Sequence, residues 1–144
     1  MINPFVNNGN TFYICDTLPA TYDSAGYAAL TWTQVRGIRS VGDLGVTYET
    51  IDYNVIGGIR HNKKTGTLAN SIAIELIKID NTGQTMLKTL LGLTTSYSFK
   101  CLTMDGTLYY FTAACSYRMA NAGESSNIHI TKLTLDLDSA LLEV

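Results

Sequence analysis

The chain has 144 residues, a formal net charge of −2, and 15% charged against 46% hydrophobic side chains. This length suits a single domain with one hydrophobic core. The mild acidity excludes a protein that grips nucleic acid through a basic surface. Charged residues are scarcer than the roughly 25% of an average globular domain. Either neighbouring subunits cover part of the surface, or Ser, Thr and Asn supply its polarity.

The N-terminus has no basic and apolar leader, and no apolar run approaches the ~18 residues of a membrane-spanning helix. We therefore expect neither secretion nor a membrane partner. Cys15, Cys101 and Cys115 are odd in number and lack redox or metal-binding spacing. We expect them to be reduced, buried, small hydrophobic residues.

The first distinctive stretch is PATYDSAGYAALTWT, residues 19–33. Asp23 is predicted to cap a short turn, and Gly26 to ease the bend. Leu30 and Trp32 are expected to enter a strand on its buried face. No base, metal ligand or oxyanion donor accompanies the stretch, so we interpret it as architecture and not as an active site.

The rest of the first half of the chain favours strands. Residues 12–15, 31–35 and 47–56 are rich in β-branched or aromatic side chains. Glycines and charges over 57–66 predict a mobile loop. The alternation of SIAIELIKI over 71–79 predicts a strand with one buried face.

One amphipathic helix is predicted over about residues 81–92. Asn81 can cap it, with Gln84 at the spacing of a capping box, and Gly92 can end it. Its apolar stripe at helical period would lie against a sheet and consists of Met86, Leu87, Leu90 and Leu91.

A hairpin is predicted around Asp105-Gly106. A two-residue turn would put the aromatic residues of its two strands on opposite faces, whereas a three-residue loop, 104–106, pairs Phe99 with Phe111. Register follows the buried face. We therefore predict the three-residue loop, with Gly106 left-handed in a bulge.

The last predicted strand, residues 127–138, changes phase along its length. Ile128 and Ile130 share one face, and three later leucines share the other. One extra residue near Thr131 and Lys132 would bring both sets onto the same face of the strand, so we predict a β-bulge there.

A search for chemistry finds no site. His61 and His129 are far apart and lack ligand spacing. The segment 57–66 lacks a glycine that a phosphate loop needs and is followed by a strand where a helix should stand. Asp136 and Asp138 share a strand face, which two solvated carboxylates explain better than acid–base catalysis. We expect no enzyme activity, no metal and no cofactor.

Several strings nevertheless resemble one family. PATYDSAGYAALTWTQV at 19–35 and the Ile-x-Ser-Val-Gly segment at 38–42 resemble the N-terminal part of phage tail tube proteins, the major tail proteins of long-tailed, non-contractile phages. Similar strings follow in the same order: DNTGQ at 80–84, YSFK at 97–100, and the hairpin from DGT to YFTA at 105–113. The resemblance runs over roughly residues 11–138.

The resemblance implies a mainly β subunit, a tail-tube-type β-sandwich or split barrel with one flanking amphipathic helix, as the single domain of residues 1–144. Six subunits would form a ring, and rings would stack into a tube for ejection of double-stranded DNA. The implied partners are other copies of the chain and the tape-measure, tail terminator and tail-tip proteins. The implied location of the protein is the virion tail, which would be assembled in the cytoplasm of the bacterial host. The basic character of 57–66 departs from the family pattern.

Two sets of residues are candidates for these contacts. Segment 43–68 is predicted to be a loop or arm that reaches the next ring, although a solvated loop tip is the alternative for its basic cluster. The subunit-contact candidates are Tyr22, Tyr27, Tyr48, Tyr53, Arg60, Lys63 and Lys64. The lumen-facing candidates, on the polar face of the 96–118 hairpin, are Ser98, Lys100, Thr112 and Ser116.

The alternative function is a monomeric β-rich module that binds carbohydrate or single-stranded nucleic acid. Its platform would be surface tyrosines, of which the chain has nine in all, buried or exposed. Tyrosines also suit subunit contacts and ordinary sheet packing, so their number does not decide between the two functions.

Overall fold

The chain is mainly β in a computed structural model that describes residues 9–44, 48–54, 57–58, 60–67, 71–120, 128–139 and 141–144. Over 48–54 and 60–67 only the backbone is described. The strands are Thr11–Cys15 (β1), Thr33–Val35 (β2), Ile38–Val41 (β3), Tyr48–Asn54 (β4), Arg60–Thr67 (β5), Ser71–Ile77 (β6), Tyr97–Leu102 (β7), Leu108–Ala120 (β8), Ile130–Leu137 (β9) and Leu142–Glu143 (β10). The helices are Ser24–Ala28 (α1) and Thr82–Leu91 (α2).

The main sheet is forced to curl by the short link between its two outermost strands. Its order is β2-β1-β7-β8-β9-β6-β3, with β10 added at β8. A flat sheet would hold β2 and β3 about 29 Å apart, six spacings of about 4.8 Å. Only Arg36 and Gly37 separate the two strands in the chain, a reach of about 10 Å. The sheet therefore closes into a barrel that is split between β2 and β3.

Helix α2 packs against β1, β2 and β8, and two side chains of its first turn fix it to the split. Asn81 caps the helix by accepting from the Gln84 N–H at 3.2 Å, and it also accepts from the Arg36 N–H at 3.3 Å. The Gln84 amide donates to the carbonyls of Arg36 at 2.7 Å and Ile77 at 3.0 Å. The start of α2 thereby joins the β2–β3 link to the end of β6.

The predicted helix is confirmed, with its cap at Asn81 and its end at Gly92. Leu87 and Leu90 are buried as expected, but Leu91 is 40% exposed. Gly83 is needed for the close approach of α2 to β2, since a Cβ there would lie 2.7 Å from the Gln34 carbonyl oxygen.

One core fills the inside of the curl and draws on both halves of the sheet. The rings of Phe12, Phe99 and Phe111 lie together, with centroids 5.3 to 6.3 Å apart. The other half of the sheet adds the aliphatic side chains Ile72, Ile74, Leu76, Leu133, Leu135 and Leu137.

The hairpin register is confirmed. Phe99 pairs with Phe111. The Thr103 N–H donates to the Thr107 carbonyl at 3.0 Å, which leaves a three-residue loop. Gly106 has a φ of 89°, so it is left-handed as predicted.

The bulge predicted near Thr131 and Lys132 is wrong. β9 pairs with β6 without a break, and Thr131, 1% exposed, is inward in the same alternation as the leucines that follow it. The bulge lies in β8 instead, at Ser116, where the pairing with β9 shifts. That shift turns the end of β8 over, so Tyr117 points outward and not onto the face of Phe111.

The mobile loop predicted over 57–66 is also wrong in large part. Arg60–Thr67 is strand β5, which pairs with β4 in a separate two-stranded sheet. Gly57 and Gly58, with φ of 118° and 92°, lie between the two strands. The strand was missed because RHNKKTGT contains no apolar residue and so has no hydrophobic period.

Two buried threonines should respond in opposite ways to the change Thr→Val. The Thr131 hydroxyl is buried without a hydrogen-bond partner among the described residues, so Thr131→Val should raise the free energy of unfolding by about 1 kcal/mol. The Thr112 hydroxyl bonds to Asp138 and Ser139, so Thr112→Val should lower it by about 2 kcal/mol. Urea denaturation measures both values. A loss of stability in Thr131→Val would show that its hydroxyl is paired.

Candidate assembly surfaces

Metal-binding clusters and reactive thiols are both missing from the described part of the chain. Within that part, no group of three His, Cys, Asp or Glu side chains could hold a metal ion. The cysteines are buried free thiols, and burial raises the pKa of Cys101 and Cys115, which disfavours the reactive thiolate. None of the helices in the described ranges is long and apolar enough to cross a membrane.

The segment around α1 covers the outer face of the β7–β8 hairpin. Asp23 caps the helix by accepting from the Gly26 N–H at 2.8 Å, and this bond holds the pKa of Asp23 below its ordinary value. A Cβ on Gly26 would lie 1.9 Å from the Thr21 carbonyl oxygen, so the glycine serves a close contact. Tyr27 stacks on Tyr110 with centroids 4.9 Å apart and rings 11° from parallel. The predicted cap at Asp23 is confirmed. The segment around α1 packs on the outer face of the sheet of its own subunit through Tyr27.

Two of the four lumen candidates are buried within the subunit. Ser98 is 0% exposed and donates to the Thr17 carbonyl at 2.6 Å. Thr112 is also 0% exposed, with its hydroxyl held by Asp138 and Ser139. The outer face of the hairpin is thus covered at Ser98 and Thr112, and both side chains are buried within the subunit.

The other two lumen candidates lie at the surface. The Lys100 ammonium lies 4.3 Å from the Tyr13 ring centroid and 5.3 Å from that of Trp32, a cation–π arrangement. Trp32 is half-buried and precedes β2, so it does not enter the buried face of a strand as expected. Ser116 is the exposed bulge residue of β8. As lumen residues, Lys100 and Ser116 stay predictions.

The contact candidates Tyr22 and Tyr27 differ in exposure. Tyr22 is 58% exposed and sets its ring edge-on against Tyr27, with centroids 6.3 Å apart. Tyr27 is 1% exposed, so its side chain is taken up inside the subunit. The remaining candidates lie on the β4–β5 hairpin, where only backbone pairing is described; they are Tyr48, Tyr53, Arg60, Lys63 and Lys64.

Unpaired edges flank the β8-β9-β6-β3 half of the described sheet. Residues 114–120 of β8 extend beyond β7 and pair with β9 alone among the described strands. This overhang carries Tyr117, 47% exposed, and Met119, 60% exposed. At the other end, β3 pairs with β6 alone among those strands, and a groove of about 870 Å³ runs along it, lined mainly by residues 34–44. Such edges are templates for a strand from another chain.

Comparisons with known proteins reveal the fold and no closer relationship. No protein-family model matches the chain, and no curated protein matches it. The sheath/tube terminator of PVC, an extracellular contractile injection system, matches with a TM-score of 0.73 at 12% identity, over 99% of this chain and 98% of that one. The SPP1 tail tube gives 0.73 at 11% identity, over 97% of this chain and 78% of that one. The tail of a gene transfer agent particle gives 0.67 at 15%, over 96% and 99%.

The chain therefore has the tail-tube fold. These structures are of an extracellular contractile injection system, a gene transfer agent and the SPP1 tail tube, so the likeness is to the wider group and not specifically to non-contractile phages. At such low identity the match concerns fold alone.

Truncation of Tyr22 and of Tyr27, whose rings meet edge-on, should distinguish a surface side chain from one that stabilises the fold. Tyr27→Ala should lower the free energy of unfolding by about 3 kcal/mol, because a buried ring is lost, whereas Tyr22→Ala should change it by less than about 0.5 kcal/mol. Urea denaturation followed through the fluorescence of Trp32, the chain's one tryptophan, measures both. Trp32 is a local probe, since its indole N–H donates to the Tyr27 carbonyl at 3.1 Å. Equal losses in the two variants would contradict the contrast in burial.

Proposed function

We propose that this chain is the tail tube subunit of a long-tailed, non-contractile phage, and that it self-assembles into hexameric rings that stack as a conduit for double-stranded DNA ejection. The observation that carries the proposal is the tail-tube fold, which matches over nearly the whole chain in two separate systems. Its partners would be other copies of itself and the tape-measure, tail terminator and tail-tip proteins. It would act in the virion tail, after assembly in the host cytoplasm, and without catalysis.

The unpaired edges support ring formation. The overhang of β8 and the free side of β3 lie at opposite ends of the same four strands. If the β8 overhang of one copy pairs with β3 of the next copy, the contact is heterologous. Repeating such a contact closes a ring after a fixed number of copies. Six is supported by the gene transfer agent tail, whose structure has C6 symmetry.

The β4–β5 hairpin supports stacking. Its strands pair with each other and pack extensively on no other element of the described chain. A lone two-stranded hairpin is marginally stable in water, so a partner surface should complete it. We assign that surface to the adjacent ring, which makes the hairpin the predicted arm of residues 43–68.

The charge balance supports passage of DNA in preference to binding. Each phosphate that Lys or Arg neutralises adds affinity through counterion release. A net charge of −2 over 144 residues gives the chain little such affinity for DNA. Weak affinity suits a conduit, because the DNA must pass through it.

The first test is assembly itself. Purified protein should show rings or tubes by negative-stain electron microscopy, and the apparent molar mass from light scattering should rise with protein concentration.

The double variant Tyr117→Ser, Met119→Ser removes two exposed apolar side chains from the β8 overhang. It should weaken ring formation by about tenfold or more, while each substitution should change the free energy of unfolding of the monomer by less than about 0.5 kcal/mol. A wild-type protein that stays monomeric at high concentration and binds an oligosaccharide would instead favour the ligand-binding alternative.

The arm can be tested separately. Replacing residues 49–66 by a short Gly/Ser linker should leave the fold intact, because the hairpin lacks extensive contacts with the rest of the described chain. Rings should still form, but tubes should not, as seen by electron microscopy. Tubes of normal length from this variant would remove the arm from the contact between rings.

A further inference from the structure

Charged side chains lie at both unpaired edges of the described sheet. Arg118 is the one charged residue of the β8 overhang, residues 114–120. At the other edge, the described lining of the groove along β3 contains two cations and one anion, which are Arg36, Arg39 and Asp43. None of these four side chains forms an ion pair within the described part of the chain. A second copy could therefore supply the missing partners.

Arg118 occupies an unusual position for a charge. Because β8 turns over at its bulge, Arg118 pairs with Leu133, which is inward and 1% exposed. The Arg118 side chain is itself half-buried. Burial raises the pKa of the nearby Cys115 thiol, and the positive charge of Arg118 opposes that rise. A cation that is partly withdrawn from water attracts an anion more strongly than a solvated cation does.

The sheet brings Asp43 within reach of Arg118 across the proposed ring contact. One row of paired residues crosses the four strands and consists of Arg118, Leu133, Ile74 and Val41. When the two edges meet at the same height, this row continues into Val41 of the next copy. Asp43 lies two residues beyond Val41, about 7 Å along the strand. This is the separation of diagonal neighbours, which long side chains can bridge.

The two arginines beside β3 make the contact selective in register. If the overhang slides toward the start of β3, Arg118 approaches Arg36 and Arg39, and like charges on neighbouring strands repel. If it slides toward the end of β3, Arg118 comes directly opposite Asp43. The charges at this edge therefore favour one direction of slide over the other.

We infer that Arg118 of one copy forms an ion pair with Asp43 of the next copy and that this pair sets the register of ring closure, an inference that rests on the proposed tube function. An inward-pointing charge on an edge strand can also serve only to discourage aggregation. That role requires no anion on the partner edge, so changes at Asp43 distinguish the two roles.

Charge reversal at each position tests the pair. In rings of Arg118→Glu alone, two carboxylates would meet at every contact, and in rings of Asp43→Arg alone, two guanidinium groups would meet. Each variant should therefore need about tenfold or more protein than the wild type for half-maximal assembly, measured by light scattering and electron microscopy. The matched control is Lys88→Glu, which reverses an exposed charge on α2 and should assemble like the wild type.

An equimolar mixture of the two variants provides the sharpest measurement. When R118E and D43R subunits alternate around a ring of six, every contact joins one carboxylate to one guanidinium group. The mixture should therefore assemble at close to the wild-type concentration, although neither variant does so alone. The double variant that carries both changes should do the same. Rescue of this kind is not open to a variant that has merely unfolded.

Three results would overturn the inference while the wild-type chain assembles. Normal assembly of D43R alone would show that Arg118 has no partner at Asp43. Failure of both the mixture and the double variant would show that the single losses have another cause, and an equal loss in K88E would trace them to net charge. Failure of the wild-type chain itself to assemble would instead contradict the proposed function, and the inference with it.

Discussion

The structure depends on a two-residue link. Arg36 and Gly37 join strands that the sheet order places at opposite ends, and no flat sheet of seven strands can satisfy that distance. The curl encloses the core, leaves the split beside β3, and gives the barrel one inner and one outer surface. Gly37 has a φ of 80°, and its carbonyl accepts from the Ile77 N–H at 2.7 Å. The link is thus fixed by the backbone, and Gln84 fixes it again from the helix.

The outer faces of the two halves of the barrel differ in which side chains they expose. On the outer face of the β7–β8 hairpin, Tyr27 stacks on Tyr110, and Ser98 and Thr112 are buried with hydrogen-bond partners. Where β6 and β9 run, the inside is aliphatic, and the outside carries mainly polar side chains together with the half-buried pair Ile77 and Ile130.

The sequence predicted those elements whose signals are local. Asn81 and Gly92 bounded the helix and Asp23 capped α1, because caps are decided within a few residues. The alternation of aromatic residues on the two strands fixed the register of the hairpin, because register follows the buried face. The missed features depend on distant contacts. Thr131 is inward because β6 pairs with it, and the bulge at Ser116 is visible only against β9. The short strands β3 and β10 exist because β6 and β8 offer edges to them. The lumen candidates rest on polarity, which likewise cannot tell an uncovered face from a covered one.

Each of the two unpaired edges of the described sheet contains a β-bulge. The pairing of β3 with β6 shifts between Ile38 and Ser40, which makes Arg39 an extra residue, and Ser116 is the extra residue of the β8 overhang. A bulge twists a strand and interrupts its regular ladder, and natural proteins use it to discourage indiscriminate pairing. In the proposed ring, each edge would accept best a partner strand that matches its irregular shape. A second copy of the same chain always brings the same pair of edges, so the two bulges would favour pairing between copies over random strand addition.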